Sequence, residues 1–204
     1  MADAYPAIYR SFNYAMRTHG YPAQKQAVIR RAVGWGDANL LAPFVRGEDL
    51  QAAVSAYRRH HRRALAGGSR FLPGAKKALA QLKRRRLRLA IASNRPTAFS
   101  RILLRVLKIE KYFDYLLCAD KLRQGKPHPE ILRRILRHFR VKPPEAVFVG
   151  DMAIDARAGR RAGIRTVIVT TGSSSLREIK KERPWKILPS LSGLTEAILP
   201  AARS

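Results

Sequence analysis

Three short stretches of the sequence carry residue types that together can handle a phosphate group. Ser93-Asn94 follows an apolar run, 87–92, and Asp151 follows another, 146–150, with Asp155 four residues further on. Between them lies Gly125-Lys126-Pro127-His128-Pro129-Glu130, in a loop that opens a helix. Lysine and hydroxyl groups suit phosphate oxygens. Two carboxylates suit hard Mg²⁺, which binds one or two of them and keeps several waters. Converging on one point, these residues describe a phosphate-plus-metal site. Each also has a plainer role open to it. Ser93 and Asn94 fit the cap of the next helix, Lys126 an ordinary loop, and Asp151 and Asp155 a first helical turn, where the dipole favours negative charge. His128, ahead of a proline, reads as a turn residue, and His60-His61, flanked by arginines, reads as a solvated helix face.

The elements around these residues must deliver them to a common edge. From Phe71 onward, helical stretches (75–86, 97–108, 130–140, 154–162) alternate with short apolar runs (87–92, 115–118, 146–150, 166–170). That alternation predicts an α/β fold, a Rossmann-like parallel sheet with helices on both faces. Ligands of such sheets bind beyond the carboxyl ends of the strands, which is where Ser93 and Asp151 fall. Residues 5–66 read as helices only. Ile8, Phe12 and Met16 recur at helical spacing, a second helix begins near Pro22, Gly34-Trp35-Gly36 breaks it, and Asp37 caps a short third. Leu50, Val54, Tyr57 and Leu65 carry a longer helix ending at Gly67-Gly68. The chain thus divides into a small all-helical part, 1–68, and an α/β part, 69–204.

In this order and at these separations, Ser93-Asn94, the Gly125–Glu130 stretch and Val149-Gly150-Asp151-Met152-Ala153-Ile154-Asp155 resemble the second, third and fourth motifs of the haloacid dehalogenase-like hydrolases. Phe71-Leu72-Pro73-Gly74 and Ala162-Gly163-Ile164 are similar to that family as well. The helical part looks like the small cap of its phosphoglycolate phosphatase-like members. The resemblance implies Mg²⁺-dependent hydrolysis of a small phosphate monoester through an aspartyl-phosphate. In those terms Ser93, Asn94 and Lys126 bind phosphate, with Ser93 on the transferring oxygen and Lys126 neutralising charge. Asp151 ligates Mg²⁺, and Asp155 supports the metal site.

One motif of that family is not in the sequence. Those enzymes open with a buried strand ending in Asp-x-Asp, whose first Asp attacks phosphorus and whose second is the general acid/base. Here the opening is Met1-Ala2-Asp3-Ala4-Tyr5-Pro6-Ala7-Ile8, which resembles the stretch just after that motif. No apolar strand precedes Asp3, so it is not assigned as nucleophile. Two explanations stand: Met1 is an internal methionine of a longer chain, or the truncation is real and yields a non-catalytic relative or an unstable fragment. In the family the absent strand lies mid-sheet, between those at 87–92 and 146–150. Its loss deprives both neighbours of ladder partners and of a core face.

The 204 residues hold 41 Lys and Arg against 14 Asp and Glu, a formal net charge of +27. Arginine supplies most of that charge and is spread over nearly every helix, a diffuse pattern that steers anionic substrates and binds nucleic acid only non-specifically. A catalytically inactive, basic binding protein on the same scaffold is the alternative function. The lone Cys118 excludes an internal disulfide framework and reads as a buried structural thiol. No apolar run reaches membrane-spanning length and no signal pattern opens the chain, so the expectation is a cytoplasmic protein.

Overall fold

Ile8, Phe12 and Met16 lie along one buried face of α1 (Tyr5–Thr18). In the computed structural model, which describes residues 1–199, that face packs on α4 (Leu50–Gly68). Two shorter helices, α2 (Gln26–Ala32) and α3 (Asp37–Leu41), add Ile29, Leu40 and Leu41 to the same core. Helix α2 starts after Pro22 rather than at it. The Asn13 side chain exchanges hydrogen bonds of 3.0 and 2.8 Å with the backbone of Gln24 and so holds the lead-in out of the helix. Gly36, not Asp37, is the N-cap residue of α3, and Asp37 instead pairs with Arg58 at 2.9 Å.

The ends of this helical segment are tied by a two-rung antiparallel ribbon, β1 (Ala2–Asp3) against β2 (Arg70–Phe71). The first residues therefore belong to the base of the helical segment rather than to its bundle. The expected alternation follows: α5 (Ala75–Arg84), β3 (Ala90–Ser93), α6 (Thr97–Val106), β4 (Tyr115–Cys118), α7 (Glu130–Phe139), β5 (Val147–Gly150), α8 (Ala153–Ala162) and β6 (Arg165–Val169). Strand β3 begins later than the apolar run suggests, because Leu89 N–H donates to the Asp114 carboxylate at 2.7 Å instead of joining a ladder. Three short elements complete the described chain: α9 (Leu176–Lys181), β7 (Lys186–Leu188) and α10 (Leu194–Ile198).

All the ladders of this part are parallel, but they form two separate sheets, β3 with β4 and β5–β6–β7. Both sheets share the same helical layers. On one face Leu87 and Leu89 join Val147 and Val149 in the cluster beneath α5, and on the other Ala92 and Tyr115 join Phe148 beneath α7 and α8. Yet β3 and β5, the inner strands, exchange no ladder hydrogen bonds. Burial is inverted accordingly. Every residue of β3 and β5 is only half-buried, whereas Val167, Ile168 and Val169 of β6 are fully buried. A sheet roofed on both sides should be most buried at its middle, so this one is open where it should be closed. No helix among the described residues is long and apolar enough to cross a membrane.

Candidate functional site

The carboxyl ends of β3 and β5 face the same region, and the loop before α7 reaches between them. Lys126 is the link. Its Nζ donates to Ala92 O of β3 at 2.9 Å and to Asp155 Oδ1 of α8 at 2.7 Å. Both partners of this ion pair are largely buried, at 11% and 4% side-chain exposure, so the charges are exchanged within the protein rather than through water. The Asn94 side chain positions that lysine. Its Oδ1 accepts from Lys126 N at 2.7 Å, and its Nδ2 donates to Lys126 O at 2.8 Å and to Gly34 O at 3.0 Å. Every donor of that amide is thus spent within the protein, so Asn94 is a brace that also reaches the helical segment.

Asp155 is similarly committed. Its second oxygen, Oδ2, accepts from the backbone N–H groups of Asp151 and Met152, each at 3.1 Å. This shapes the turn after β5, and it requires Gly150: a Cβ there would lie 2.3 Å from Asp155 Cβ. Asp155 therefore orients the turn and holds Lys126. The Asp151 carboxylate is different. Among the described residues it has no hydrogen-bond partner, and burial, then the nearby Asp155 charge, raise its pKa, while the Met1 α-amino group, Lys126 and Arg95 act in the opposite sense. A withdrawn carboxylate without a protein donor suits a cation. The donor set fits Mg²⁺ through Asp151, since that ion accepts a single protein carboxylate and keeps waters. Asp155 fits only as a support, because both its oxygens are occupied. Among the described residues no three His, Cys, Asp or Glu side chains converge on a metal position.

Ser93 ends β3, and its Oγ accepts from Arg95 N–H at 3.0 Å. Its own proton remains available to an external acceptor. The Met1 α-amino group is also drawn in. Burial lowers its pKa, and the charges of Asp151, Arg95 and Asp155 all act on it, so the chain's first atom lies within electrostatic reach of the carboxylate without forming an ion pair with it.

With the geometry in place, comparison with known proteins is informative. A family model described as haloacid dehalogenase-like hydrolase matches residues 1–169. The chain belongs to the haloacid dehalogenase-like hydrolase family. Relatives within it include phosphoglycolate phosphatases. The plasmid enzyme of Cupriavidus necator is 32% identical over 181 residues, covering 84% of this chain and 77% of that one. The phosphoglycolate phosphatase of Nitrosospira multiformis is 28% identical over 206 residues, covering 97% and 91%. Among solved structures, a predicted phosphoglycolate phosphatase from Haemophilus somnus matches with a TM-score of 0.91 at 22% identity, over 98% of this chain and 93% of that one. CbbY of Rhodobacter sphaeroides, solved with phosphate, matches at 0.83 and 22%, over 95% and 91%. At these identities the two structures speak for the fold alone.

This haloacid dehalogenase-like chain is of the phosphoglycolate phosphatase-like branch, with the expected α/β architecture. One sequence reading needs correction at residue level. His60-His61 is not a solvated face. His61 is 1% exposed, stacked on Tyr57 and edge-on to Phe99, and both histidines place Nδ1 within 3.2 Å of Ser11 Oγ. The stripe Tyr57, His61, Leu65 runs at helical spacing along the buried side of α4, and the surrounding arginines obscured it. His128 does serve a turn, accepting from Glu130 N–H. Cys118 is a buried thiol that donates to Ser100 Oγ. Sequence reasoning passed over Arg95, although its place directly after Ser93-Asn94, beyond a strand's carboxyl end, was a usable signal.

Proposed function

We propose that this chain is the scaffold of a Mg²⁺-dependent phosphatase acting on a small phosphate monoester, with Ser93 and Lys126 contacting the phosphoryl group and Asp151 holding the metal. The observation that carries this reading is Lys126 Nζ, shared between Ala92 O and Asp155 Oδ1 at the mouths of β3 and β5, beside the unpartnered Asp151 carboxylate. Ser93 offers its hydroxyl proton to a phosphoryl oxygen, and Lys126 offsets the charge that gathers as the ester breaks. Asn94 and Asp155 keep those two groups in place. Mg²⁺ at Asp151, when bound, supplies charge neutralisation to phosphoryl oxygens.

The attacking carboxylate is the part this reading has to find elsewhere. Asp151 serves the metal and Asp155 is spent on hydrogen bonds, so neither is free to attack. We infer that it belongs on a strand between β3 and β5, entering just ahead of Met1, whose amino group feels the Asp151 charge. The test is phosphate release from a generic aryl phosphate. The 204 residues alone should show none. Joined to an apolar strand ending in Asp-x-Asp, they should release phosphate in a Mg²⁺-dependent way, and Asp151→Asn should abolish it. Steady turnover by the 204 residues alone, lost in Asp151→Asn, would refute the placement of the nucleophile.

A further inference from the structure

Along the sequence the basic residues look dispersed, but the parallel topology gathers many of them in one place. Each of α5 to α9 leads into a strand whose carboxyl end faces the phosphoryl site, so all five helices end on the opposite face of the α/β part. Four residues there, Arg86, Lys108, Arg140 and Arg183, follow α5, α6, α7 and α9. Among the described residues they are the only ones other than glycine with positive φ, 52° to 56°. Gly163 holds the equivalent position after α8, at 73°. Glycine is the usual residue at such a helix end, because a side chain is strained there. All four cations are exposed, and among the described residues their side chains make no hydrogen bond or ion pair.

Helix dipoles account for only part of this charge. A helix carboxyl end is equivalent to about half a negative elementary charge, yet each of the five helices also has a basic residue in its last turn. Carboxylates do not balance the rest. Asp114 is held by Lys83 at 2.9 Å, and Glu182 is buried against Arg157 and Arg160. Glu145 accepts from Lys142 N–H at 2.6 Å within its own turn, which leaves Glu110 in these connections. Aromatic rings stand among the cations. Arg88 lies 5.0 Å from the Phe139 ring and Lys111 5.7 Å from that of Tyr112, while Trp185 has Arg165 at 4.8 Å and Lys186 at 4.6 Å. Trp185 is still 40% exposed, and with Arg160, Arg165 and Arg183 it lines a cavity of about 280 Å³.

We propose that this face, remote from the phosphoryl site, binds single-stranded nucleic acid, with phosphates along the basic helix ends and one base seated in the cavity beside Trp185. Phosphates exchange condensed counterions for arginine and lysine whatever the base sequence. Unpaired bases stack on aromatic rings and on guanidinium planes, and this face holds both. A duplex keeps its bases stacked inside, and an acidic lipid surface or a sulfated polymer has none, so those partners would use the charge and leave the cavity unfilled. The non-specific binding expected from composition thereby gains a place on the molecule and a preference for single strands. It uses none of Ser93, Lys126 and Asp151, and so stands apart from the phosphatase reading.

The test is fluorescence anisotropy of a labelled oligothymidylate of about 16 nucleotides, titrated with the full chain over a range of salt. The combined variant Arg86→Asn, Lys108→Asn, Arg140→Asn, Arg183→Asn takes four cations from the face, and asparagine suits the left-handed backbone. It should weaken binding at least about thirtyfold and make the salt slope shallower by about 3–4. A matched variant, Arg17→Gln, Arg59→Gln, Arg62→Gln, Arg63→Gln, loses the same charge from the helical segment and should weaken binding less than about threefold. In Trp35→Phe, which leaves Trp185 as the one tryptophan, the oligonucleotide should quench the emission and heparin should not. Trp185→Leu should weaken the single strand at least about fivefold and a duplex of equal length less than about twofold. Equal losses in the two fourfold variants, unquenched Trp185 emission, or a duplex bound as tightly as the single strand would overturn the proposal. So would an absence of binding at about 0.1 M salt.

Discussion

The helical segment and the α/β part of this chain solve the same problem unequally. In the helical segment four helices close on one core, with Phe12, Met16, Ile29 and Leu41 fully buried. In the α/β part the helical layers are continuous, but the sheet between them is divided, and its inner strands are half-buried. A helix satisfies its backbone internally, so losing a neighbour costs it packing alone. A strand depends on neighbours for its ladder, so the same loss costs it hydrogen bonds as well. The site lies at the divided place. Lys126 spans it with one side chain, doing with two hydrogen bonds what a strand would do with many.

The largest test of this contrast is to close the sheet. An apolar strand of about five residues, joined ahead of Met1, would bury roughly three side chains at ~1.5–3 kcal/mol each and form ladder bonds at ~1 kcal/mol each. Ordering it costs ~1–2 kcal/mol per residue, leaving a net gain on the order of 5 kcal/mol. For a chain of this size that is a rise of ~10–20 °C in the melting midpoint, with a sharper transition. Equal midpoints and equal cooperativity for the two proteins would mean that β3 and β5 lack nothing between them.

A second test compares two phenylalanines. Phe12 is fully buried and meets Phe44 edge-on at 5.2 Å, so Phe12→Ala should cost about 3–5 kcal/mol. Phe148 stands on the open strand β5, half-buried, with Lys126 Nζ 5.4 Å from its ring. Phe148→Ala should cost only about 1–2 kcal/mol, because less of the ring leaves water on folding. Once a strand fills the gap, the Phe148 cost should approach that of Phe12. Chemical denaturation of both variants in both backgrounds reads this directly, and an unchanged Phe148 cost after filling would break the comparison.

How much of this was legible beforehand follows the same division. Local periodicity is sufficient for helices that bury one stripe, and α1 and α4 follow their apolar residues closely. Strands β4 and β5 were legible because their runs are uniformly apolar. Strand β7 was not, since Lys186-Ile187-Leu188 is too short to show a pattern. The candidate residues were legible as types at the ends of strands. Their hydrogen bonds were not, because Asn94 meets Lys126 and Gly34 across long sequence separations. Spacing alone cannot tell a brace from a ligand. The open sheet had no signature in the residues present and followed only from the family resemblance.

A third test is the pH response of the junction between the two regions. His61 is buried between Tyr57 and Phe99, and its pKa is lowered to about 3 from an ordinary 6.5, chiefly by desolvation and then by the Arg95 charge. The folded protein resists this proton more than the unfolded chain does. Its neutral form thus supports folding fully above pH 6.5, and that support is lost as pH falls toward 3. The effect is a few kcal/mol at most, at ~1.4 kcal/mol per pKa unit. Stability measured from pH 7 to 4 should decline less in His61→Phe than in the parent, about pH ~6.5 and below. Parallel declines would show that this histidine does not couple the regions to pH.

The smallest expected effect lies at the outer edge of the same junction. Arg31 of α2 reaches Glu178 of α9 with two hydrogen bonds, 2.9 and 2.7 Å, and its neighbour Arg30 donates to Thr171 O and Gly172 O. The geometry is bidentate, and hydrogen bonds from Arg31 and Ser175 hold the Glu178 pKa down to about 2. Exposure decides the outcome, however. The two side chains are 61% and 42% accessible, so water and salt screen the pair, and ordering two long side chains offsets much of the attraction. Arg31→Gln should therefore move the melting midpoint by no more than ~1–2 °C, and by less still at high salt. Arg30→Gln should do more, because Arg30 lies 4.1 Å over the Tyr5 ring and holds the loop whose Gly172 packs against Asp151 O, where a Cβ would come within 2.1 Å. If Arg31→Gln proved the more damaging of the two, and insensitive to salt, the two regions would be joined by surface charge rather than by the buried contacts at the site.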